Sequence, residues 1–315
     1  MTQSIAVDFG GTNIRAAFFP TPEPPPKKQV KVPTQAETGP ENVIGHLVSA
    51  IEEVMPAKRE GIHIGIGSPG PLDPNAGIIF KAPNLHGWTD IPLEARLEER
   101  LGCTVHLGND ANLAALGEWK FGAGKGSSHM VYLTISTGIG GGVIVDDQLL
   151  LGSRGLAAEL GHITMQPDGA RCGCGIKGHI EALASGTAIA RKANERLQKG
   201  AKSTLQNILK EKGTVNAVDV GVAAANDDVF ALNLISETGS LLGHFLADLA
   251  HVFNPETFVL GGGVSQLGDM LFKPIRASFE EHLMDPAYAE NVHILPAALG
   301  DDAGLVGAMV LANQP

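Results

Sequence analysis

Two patterns of hydrophobic residues alternate along the chain. Short apolar runs that end in glycine or a polar turn predict buried β-strands; they lie at 4–8, 61–67, 103–107, 131–136, 141–145 and 257–260. Longer stretches with an apolar residue every three or four positions predict helices; they lie at 41–55, 91–101, 109–119, 180–198, 228–253 and 302–311. Strands that alternate with helices are typical of α/β layers.

Two of the predicted strands each open a hairpin. The first strand enters Gly10-Gly11 and continues into an apolar second arm at 13–19, and the strand at 131–136 turns at 137–140 into the next one. We therefore expect two α/β units, each opened by a hairpin, that face each other. The proline-rich segment 20–28 is expected as an exposed loop, because proline cannot pair in a sheet. The glycine-rich segment 121–128 is the candidate hinge.

Composition narrows the class of protein. The length of 315 residues suggests two domains, and an apolar fraction of 43% is enough for a real core. Lys and Arg number 23 against 34 for Asp and Glu, a formal net charge of −11. Such a chain is a poor electrostatic match for nucleic acid, although a small phosphorylated ligand needs only local donors.

Targeting signals are not evident in the sequence. Three cysteines cannot form a disulfide framework, and no apolar run reaches the roughly 18 residues of a membrane span. The N-terminus, MTQSIAVDFGG, lacks a basic region and a long apolar stretch, so it does not resemble a signal peptide. We expect a soluble protein of the cytoplasm.

Glycine is unusually frequent, with 40 residues, and it clusters in loops that follow predicted strands. These loops are DFGGT at 8–12, STGIGG at 136–141 and GGG at 261–263. Glycine loops present consecutive backbone N–H groups to an anion. Thr12 and Thr137 add hydroxyl donors, and Asp8 could hold a divalent cation through water next to phosphates. One such loop could be an ordinary tight turn, but three favour an anion site.

Two better-known nucleotide motifs fail on inspection. The segment 122–127 (GAGKGS) is too short for a P-loop, and Gly126 stands where Ser or Thr must follow the lysine. The segment 138–143 (GIGGGV) lacks the third glycine of a dinucleotide fingerprint and joins two strands.

A possible metal site follows the second glycine loop. His162, Cys172, Cys174 and His179 are two imidazoles and two thiols, a complete tetrahedral set for zinc. The alternative is a flexible loop with two free thiols. A full set leaves no open position, so we expect a structural zinc. The remaining cysteine, Cys103, lies in a predicted strand and is expected in the core.

Several carboxylates and amides could do chemistry. Asn109 and Asp110 follow a strand and open a helix, where they could form an N-cap or place Asp110 as a base for a substrate hydroxyl. The other polar loop residues are Asn84, Glu159 and Glu181. This mixture suits a polyhydroxylated ligand such as a sugar.

Taken together, the chain resembles the ROK family of bacterial repressors, open reading frames and sugar kinases. The segments that carry the resemblance are VDFGGTNIRAA, GIGSPGPLDPNAG, APNLHGW, LGNDANLAALGEW, STGIGGGVIVDDQLLLG, AAELGHI, CGCGIKGHIEALASG and FVLGGGVS. The DxGGT opening is shared with many actin-like phosphotransferases, whereas ELGH followed by the CxCGxxGxxE loop is far more specific.

The resemblance implies an α/β actin-like (ribonuclease H-like) fold with a zinc-stapled loop and two lobes, 1–120 with the C-terminal helix 302–315, and 121–301. It implies that Mg·ATP and a hexose bind in the cleft and that Asp110 is the catalytic base. The implied sugar-binding residues are Asn84, Asn109, Asp110, Glu159, His162 and Glu181. The implied nucleotide residues are Asp8, Gly10, Gly11, Thr12, Thr137, Gly138, Gly261 and Gly262. The implied zinc ligands are His162, Cys172, Cys174 and His179, and a homo-oligomer, a dimer or tetramer, is the habit of the family.

The resemblance leaves some choices open. His179 stands where the family usually has a third cysteine, which puts the metal site in doubt. Glucose is the expected substrate; fructose, mannose, N-acetylglucosamine and N-acetylmannosamine are alternatives, and polyphosphate is an alternative donor. A DNA-binding repressor is disfavoured because no basic recognition helix precedes the first strand, and an inactive sugar sensor because Asp110 and all three glycine loops are retained.

Overall fold

The computed structural model describes residues 3–81 and 85–314, and its elements follow the predicted alternation. The strands are β1 Ser4–Phe9, β2 Asn13–Phe19, β3 Lys28–Pro33, β4 His63–Ser68, β5 Leu72–Asp73, β6 Ile78–Lys81, β7 Thr89–Ile91, β8 Thr104–Asn109, β9 Met130–Ile135, β10 Ile139–Val145, β11 Gln148–Leu149, β12 Thr257–Gly261 and β13 His293–Pro296. The helices are α1 Pro40–Val54, α2 Leu93–Leu101, α3 Asp110–Phe121, α4 Ile180–Ala184, α5 Gly186–Gln198, α6 Leu205–Lys212, α7 Ala217–Ala225, α8 Val229–Phe253, α9 Asp269–His282 and α10 Ala303–Ala312.

Two five-stranded sheets have the same plan. The first has the order β3-β2-β1-β4-β8, with β1, β2 and β3 antiparallel and β4 and β8 parallel to β1. The second has the order β11-β10-β9-β12-β13, with β12 parallel to β9 and to β13. In both, the strand that opens the hairpin is central, and its parallel neighbours are buried apolar runs. The prediction of two hairpin-opened α/β sheets is confirmed.

The chain divides into two compact units. Unit 1 comprises Met1–Gly126, Gly142–Ala158 and Ala298–Pro315, and unit 2 comprises Ser127–Gly141 and Glu159–Ala297. The division differs from the predicted lobes mainly at Gly142–Ala158. There, a Cβ built on Gly142 would lie 2.5 Å from the Cβ of Ala115 on α3, so the segment packs tightly within unit 1.

The last turn of α3 is fixed by a buried carboxylate in unit 1. Glu118 is completely buried. It accepts hydrogen bonds from the backbone N–H groups of Ala123, Ala298 and Leu299 at 2.7–3.0 Å. Three donors on one carboxylate offset much of the free-energy cost of burying its charge. The glycine-rich segment 121–128 therefore begins at a firmly held helix end.

Several elements differ from the sequence expectation. The predicted helix 180–198 is two helices, because Ser185 is extended and its hydroxyl caps α5 by accepting from Ala188 N. The predicted loop 20–28 ends one residue early, since Lys28 already pairs with Phe18 in β3. The helices α6, α7 and α9 were not expected, because their apolar faces are short or interrupted, in α9 by Pro274.

The helix α8 is long and apolar enough by length and composition to cross a membrane. An 18-residue window in it has a mean hydropathy of 1.2, but half of that window is buried inside the fold. Core helices pass the same test, and α8 packs along α9 and α7. Among the described residues no other helix meets the criterion.

Candidate active site

The first glycine loop turns β1 into β2 in unit 1. Gly10 N donates to Asn13 O at 2.9 Å, which closes the turn. Thr34 fixes it from β3's end, because its hydroxyl donates to Gly10 O at 2.6 Å and its N–H to Thr12 O at 2.9 Å. The Thr12 side chain is exposed. The loop is therefore held by its backbone carbonyls, and its threonine faces outward.

Asp8 lies directly before this loop and is held by an arginine that the sequence analysis did not select. Arg15 donates from Nε and Nη2 to Asp8 Oδ2 at 3.1 and 3.0 Å, and from Nη1 to Asp302 Oδ1 at 2.9 Å. Asp8 and Arg15 are direct cross-strand partners in the β1–β2 register. Such pairs interact across a hairpin, so the register was the signal for Arg15. The fork fixes the carboxylate that is predicted to face a divalent cation.

The pair Asn109-Asp110 lies where β8 ends and α3 begins. Asn109 is the N-cap, since its Oδ1 accepts from Ala111 N at 3.0 Å and from Asn112 N at 3.1 Å. Asp110 is the first helical residue, is exposed, and accepts from Ala111 N through Oδ1 at 2.8 Å. The N-cap interpretation is correct for Asn109. It also orients Asp110, because a capped first turn has little freedom. The other predicted polar residue of unit 1, Asn84, lies outside the described residues.

The second glycine loop joins β9 to β10 in unit 2 and contacts Glu181. Ile139 N donates to Glu181 Oε2 at 3.1 Å, and a Cβ on Gly138 would lie 2.4 Å from the same oxygen. A side chain at position 138 would have to displace this carboxylate, so glycine permits the close approach. Gly138, predicted to bind the nucleotide, and Glu181, predicted to bind the sugar, therefore lie next to each other although they come from separate motifs.

The third glycine loop follows β12, the neighbour of β9. Gly262 has a φ of +82°, and a Cβ there would lie 2.4 Å from Ile135 O at the end of β9. Both facts require glycine. The register pairs Gly261 with Thr134, so the second and third loops leave the sheet side by side.

A cavity of about 720 Å³ lies beside these two loops within unit 2. Thr137 and Gly263 line it, whereas Gly138, Gly261 and Gly262 are not among its lining residues. The walls come from α5, α7 and the segment after β12, and are mostly small or apolar: Ile189, Ala190, Ala217, Val218, Gly221, Val222, Ala225, Val264, Leu267 and Met270. Sequence reasoning missed this wall. A faint signal existed in Ala217, Gly221 and Ala225, which repeat every four residues on α7.

The candidate metal ligands converge in unit 2. The ligand atoms of His162, Cys172, Cys174 and His179 all lie within 4.8 Å of one another. His162 Nδ1 is 3.3 Å from His179 Nδ1 and 3.7 Å from Cys172 Sγ, and Cys174 Sγ is 3.3 Å from His179 Nδ1. Tetrahedral zinc with usual bond lengths separates its ligand atoms by roughly 3.3–3.8 Å. The donor set fits zinc, and His179 occupies its place despite the departure from the family pattern.

Backbone hydrogen bonds fix the fold of the metal loop, the segment 159–181 that carries the four candidate ligands. Cys172 N donates to Ile176 O at 2.8 Å and Gly175 N to Cys172 O at 2.9 Å, which form a tight knuckle around the thiols. Ile180 N donates to Ile163 O at 2.9 Å and so joins the two ends of the loop. The pairing places His162 and His179 next to each other.

Glu181 connects the metal loop to the second glycine loop. Cys172 Sγ donates to Glu181 Oε1 at 3.1 Å, while Oε2 accepts from Ile139 N. Burial, with a further contribution from the hydrogen bond to Glu181, raises the pKa of the Cys172 thiol to about 12. Glu159 is exposed and comes directly before the short helical turn Leu160–His162; His162 N donates to its carbonyl at 3.0 Å. The side chains of His162 and Glu181 are therefore held by contacts with the metal ligands, and Glu159 is held at the same loop through its backbone carbonyl.

Comparison with known proteins decides the family. The family model described as ROK matches residues 4–315. The chain belongs to the ROK family. The resemblance seen in the motifs is confirmed, and so is the actin-like α/β fold with a clustered Cys/His loop.

ROK relatives match the chain along its length. It is 39% identical over 315 residues to a glucokinase of Halalkalibacterium halodurans, covering 98% of this chain and 94% of the relative. It is 38% identical over 310 residues to a glucokinase of Thermotoga maritima, covering 98% and 97%. A solved ROK family glucokinase from Streptomyces griseus, in complex with glucose and AMPPNP, is 36% identical with a TM-score of 0.84, and the match covers 99% of this chain and all of that one.

Proposed function

We propose that the chain transfers the γ-phosphoryl group of ATP to the 6-hydroxyl of glucose. One observation carries the proposal: the whole chain matches a glucokinase that holds glucose and an ATP analogue. The residues named below are supported by their contacts and by the family motifs, and their roles are part of the proposal.

The nucleotide is assigned to the cavity beside the second and third glycine loops. A volume of about 720 Å³ is in the range of small-molecule pockets. Apolar walls from α5 and α7 suit an adenine ring, and Thr137, which also lines the cavity, is the residue proposed to meet the phosphates. The proposed phosphate donor of unit 2 is the Gly138 N–H group. Those of unit 1 are the N–H groups of Gly11 and Thr12, while Gly10, whose N–H donates to Asn13 O, shapes the turn that presents them. Asp8, fixed by Arg15, would hold Mg²⁺ through water and so neutralise phosphate charge.

Asp110 is the proposed general base. It accepts the proton of the sugar's 6-hydroxyl as that oxygen bonds to the γ-phosphorus and the bond from the γ-phosphorus to the bridging oxygen breaks, which releases ADP. Its place at the first residue of α3 supports the role, because the Asn109 cap holds the helix start and the carboxylate is exposed. Asn84 and Asn109 are proposed to bind other hydroxyls; with Asn109 Oδ1 engaged by the helix, its amide nitrogen is the group offered to a ligand.

The metal loop is proposed to bind the rest of the sugar. Glu159, His162 and Glu181 supply acceptors and a ring nitrogen, since His162 Nδ1 faces the ligand cluster and leaves Nε2 for the sugar. Zinc held by His162, Cys172, Cys174 and His179 would rigidify segment 159–181 and take no part in phosphoryl transfer. The high pKa of the Cys172 thiol means that cation binding must displace its proton.

The sugar and donor are tested by an ADP-release assay with Mg·ATP and a panel of glucose, mannose, fructose, N-acetylglucosamine and N-acetylmannosamine. We expect kcat/KM for glucose to exceed the others. A preference for another sugar would overturn glucose as the substrate but would leave the assignment as a sugar kinase intact. Absence of turnover with every sugar, in protein that holds zinc, would favour the sensor alternative or polyphosphate as donor. Measuring the sugar phosphate formed when polyphosphate replaces ATP distinguishes these two. The homo-oligomeric state and the cytoplasmic location remain predictions.

Filling the cavity should damage nucleotide binding selectively. Ala190 lines the cavity from α5, and Ala190→Phe would place a ring where the base is proposed to bind. We expect the KM for ATP to rise by at least about tenfold with the glucose dissociation constant unchanged. Gln198→Phe, on an exposed position of the same helix outside the cavity, is the matched control. Equal KM values for ATP in the two variants would remove the cavity from the nucleotide site.

A further inference from the structure

The turn that carries the second glycine loop is held by hydrogen bonds to α4 and α5. Gly186 N donates to Ser136 O at 2.7 Å. The Thr187 hydroxyl donates to Thr137 O at 2.8 Å, and its N–H reaches the same oxygen at 3.4 Å. The third contact is the Ile139 N–H on Glu181. The turn's conformation therefore depends on residues 181–187.

The Thr187 hydroxyl has no role in starting its own helix. Ser185 is the N-cap of α5, and its hydroxyl accepts from Ala188 N at 3.2 Å. The Thr187 hydroxyl instead donates to the carbonyl of Thr137, which lies 50 residues away in the chain. It also lines the same cavity as Thr137. Its hydrogen bond thus fixes a backbone oxygen of the loop from inside the proposed nucleotide site.

We propose that Thr187 is a positioning residue that sets the second glycine loop for the nucleotide phosphates. The inference rests on the proposed function. Thr137 O and the Gly138 N–H belong to the same planar peptide group, so the bond from Thr187 to Thr137 O also fixes the direction of the Gly138 N–H, the proposed phosphate donor. Without that bond, the loop can rotate its carbonyl toward the anion, which repels it, and part of the binding free energy goes into ordering the loop.

Loss of the Thr187 donor should weaken the binding of ligands that carry phosphate. Thr187→Val keeps the shape and removes the donor, while Thr187→Ser keeps the donor. For Thr187→Val we expect the dissociation constant of Mg·ADP, measured by calorimetry, to rise about five- to tenfold. Adenosine affinity and the glucose dissociation constant should stay within about twofold. Thr187→Ser should restore ADP binding.

A matched control removes the same kind of bond elsewhere in unit 2. Thr238 on α8 is buried, and its hydroxyl donates to Leu234 O at 2.8 Å. Thr238→Val should leave ADP affinity unchanged, and melting curves of the variants should report any general loss of stability. The inference is overturned if Thr187→Val binds ADP as wild type does, or if ADP and adenosine weaken equally. Wild-type protein that bound neither ADP nor glucose would instead overturn the proposed function.

Discussion

Asp110→Asn is expected to lower kcat for glucose phosphorylation by about 10²–10⁴-fold while glucose still binds. General-base catalysis contributes about that factor, and asparagine cannot take the proton of the 6-hydroxyl. The substitution keeps the local structure, because an amide oxygen can still accept from Ala111 N as Asp110 Oδ1 does. Turnover by ADP release and the glucose dissociation constant by calorimetry separate the two effects.

The matched control for this variant is a carboxylate at the same place in another helix. Asp269 is the first residue of α9 and its side chain is 73% exposed, where it pairs with Lys273. Asp269→Asn should leave kcat unchanged. If Asp110→Asn turned over at the wild-type rate, the base would have to be another group, and the assignment of α3's first residue to catalysis would be wrong.

Cys172→Ser is expected to abolish zinc binding and weaken glucose binding together. Serine is a poor zinc ligand, and loss of one of four ligands removes a structural site. We expect wild-type protein to hold about one zinc per chain, and the variant less than about a tenth of that, by elemental analysis. The KM for glucose should rise by at least about tenfold, because Glu159, His162 and Glu181 are fixed by the same loop.

The third cysteine provides the control. Cys103 is buried directly before β8 in unit 1, and its Sγ lies 3.7 Å from Leu101 O. Cys103→Ser should keep full zinc content and the wild-type KM for glucose. A Cys172→Ser protein with full zinc, or zinc loss with no change in glucose KM, would contradict the proposed role of the metal loop.

The parts of the site that carry distinctive residue types were predictable. Cysteines and histidines at close spacing indicate a metal site, and the ligand atoms of the four predicted residues do converge. Glycines that follow strands indicate tightly packed loops, since Gly138 and Gly262 occupy places where a Cβ would collide with Glu181 and Ile135. In both cases the residue type is dictated by local chemistry or local space.

Other parts depend on packing that no local pattern records. The wall of the cavity is made of ordinary small residues such as Ala217 and Gly221, whose type says nothing about a ligand. Thr187 matters through one hydrogen bond to a distant carbonyl, which exists only because the predicted helix 180–198 breaks at Ser185. Arg15 could be predicted in part, because the hairpin register, once it is known, pairs it with Asp8.

The central claim is transfer of the γ-phosphoryl group of ATP to the 6-hydroxyl of glucose, and the most direct test identifies the product. Wild-type protein with Mg·ATP and glucose should form glucose 6-phosphate and ADP in equal amounts, read by phosphorus NMR. Asp110→Asn at the same concentration should form almost none. A phosphate on another hydroxyl, or ADP released without a phosphorylated sugar, would contradict the account.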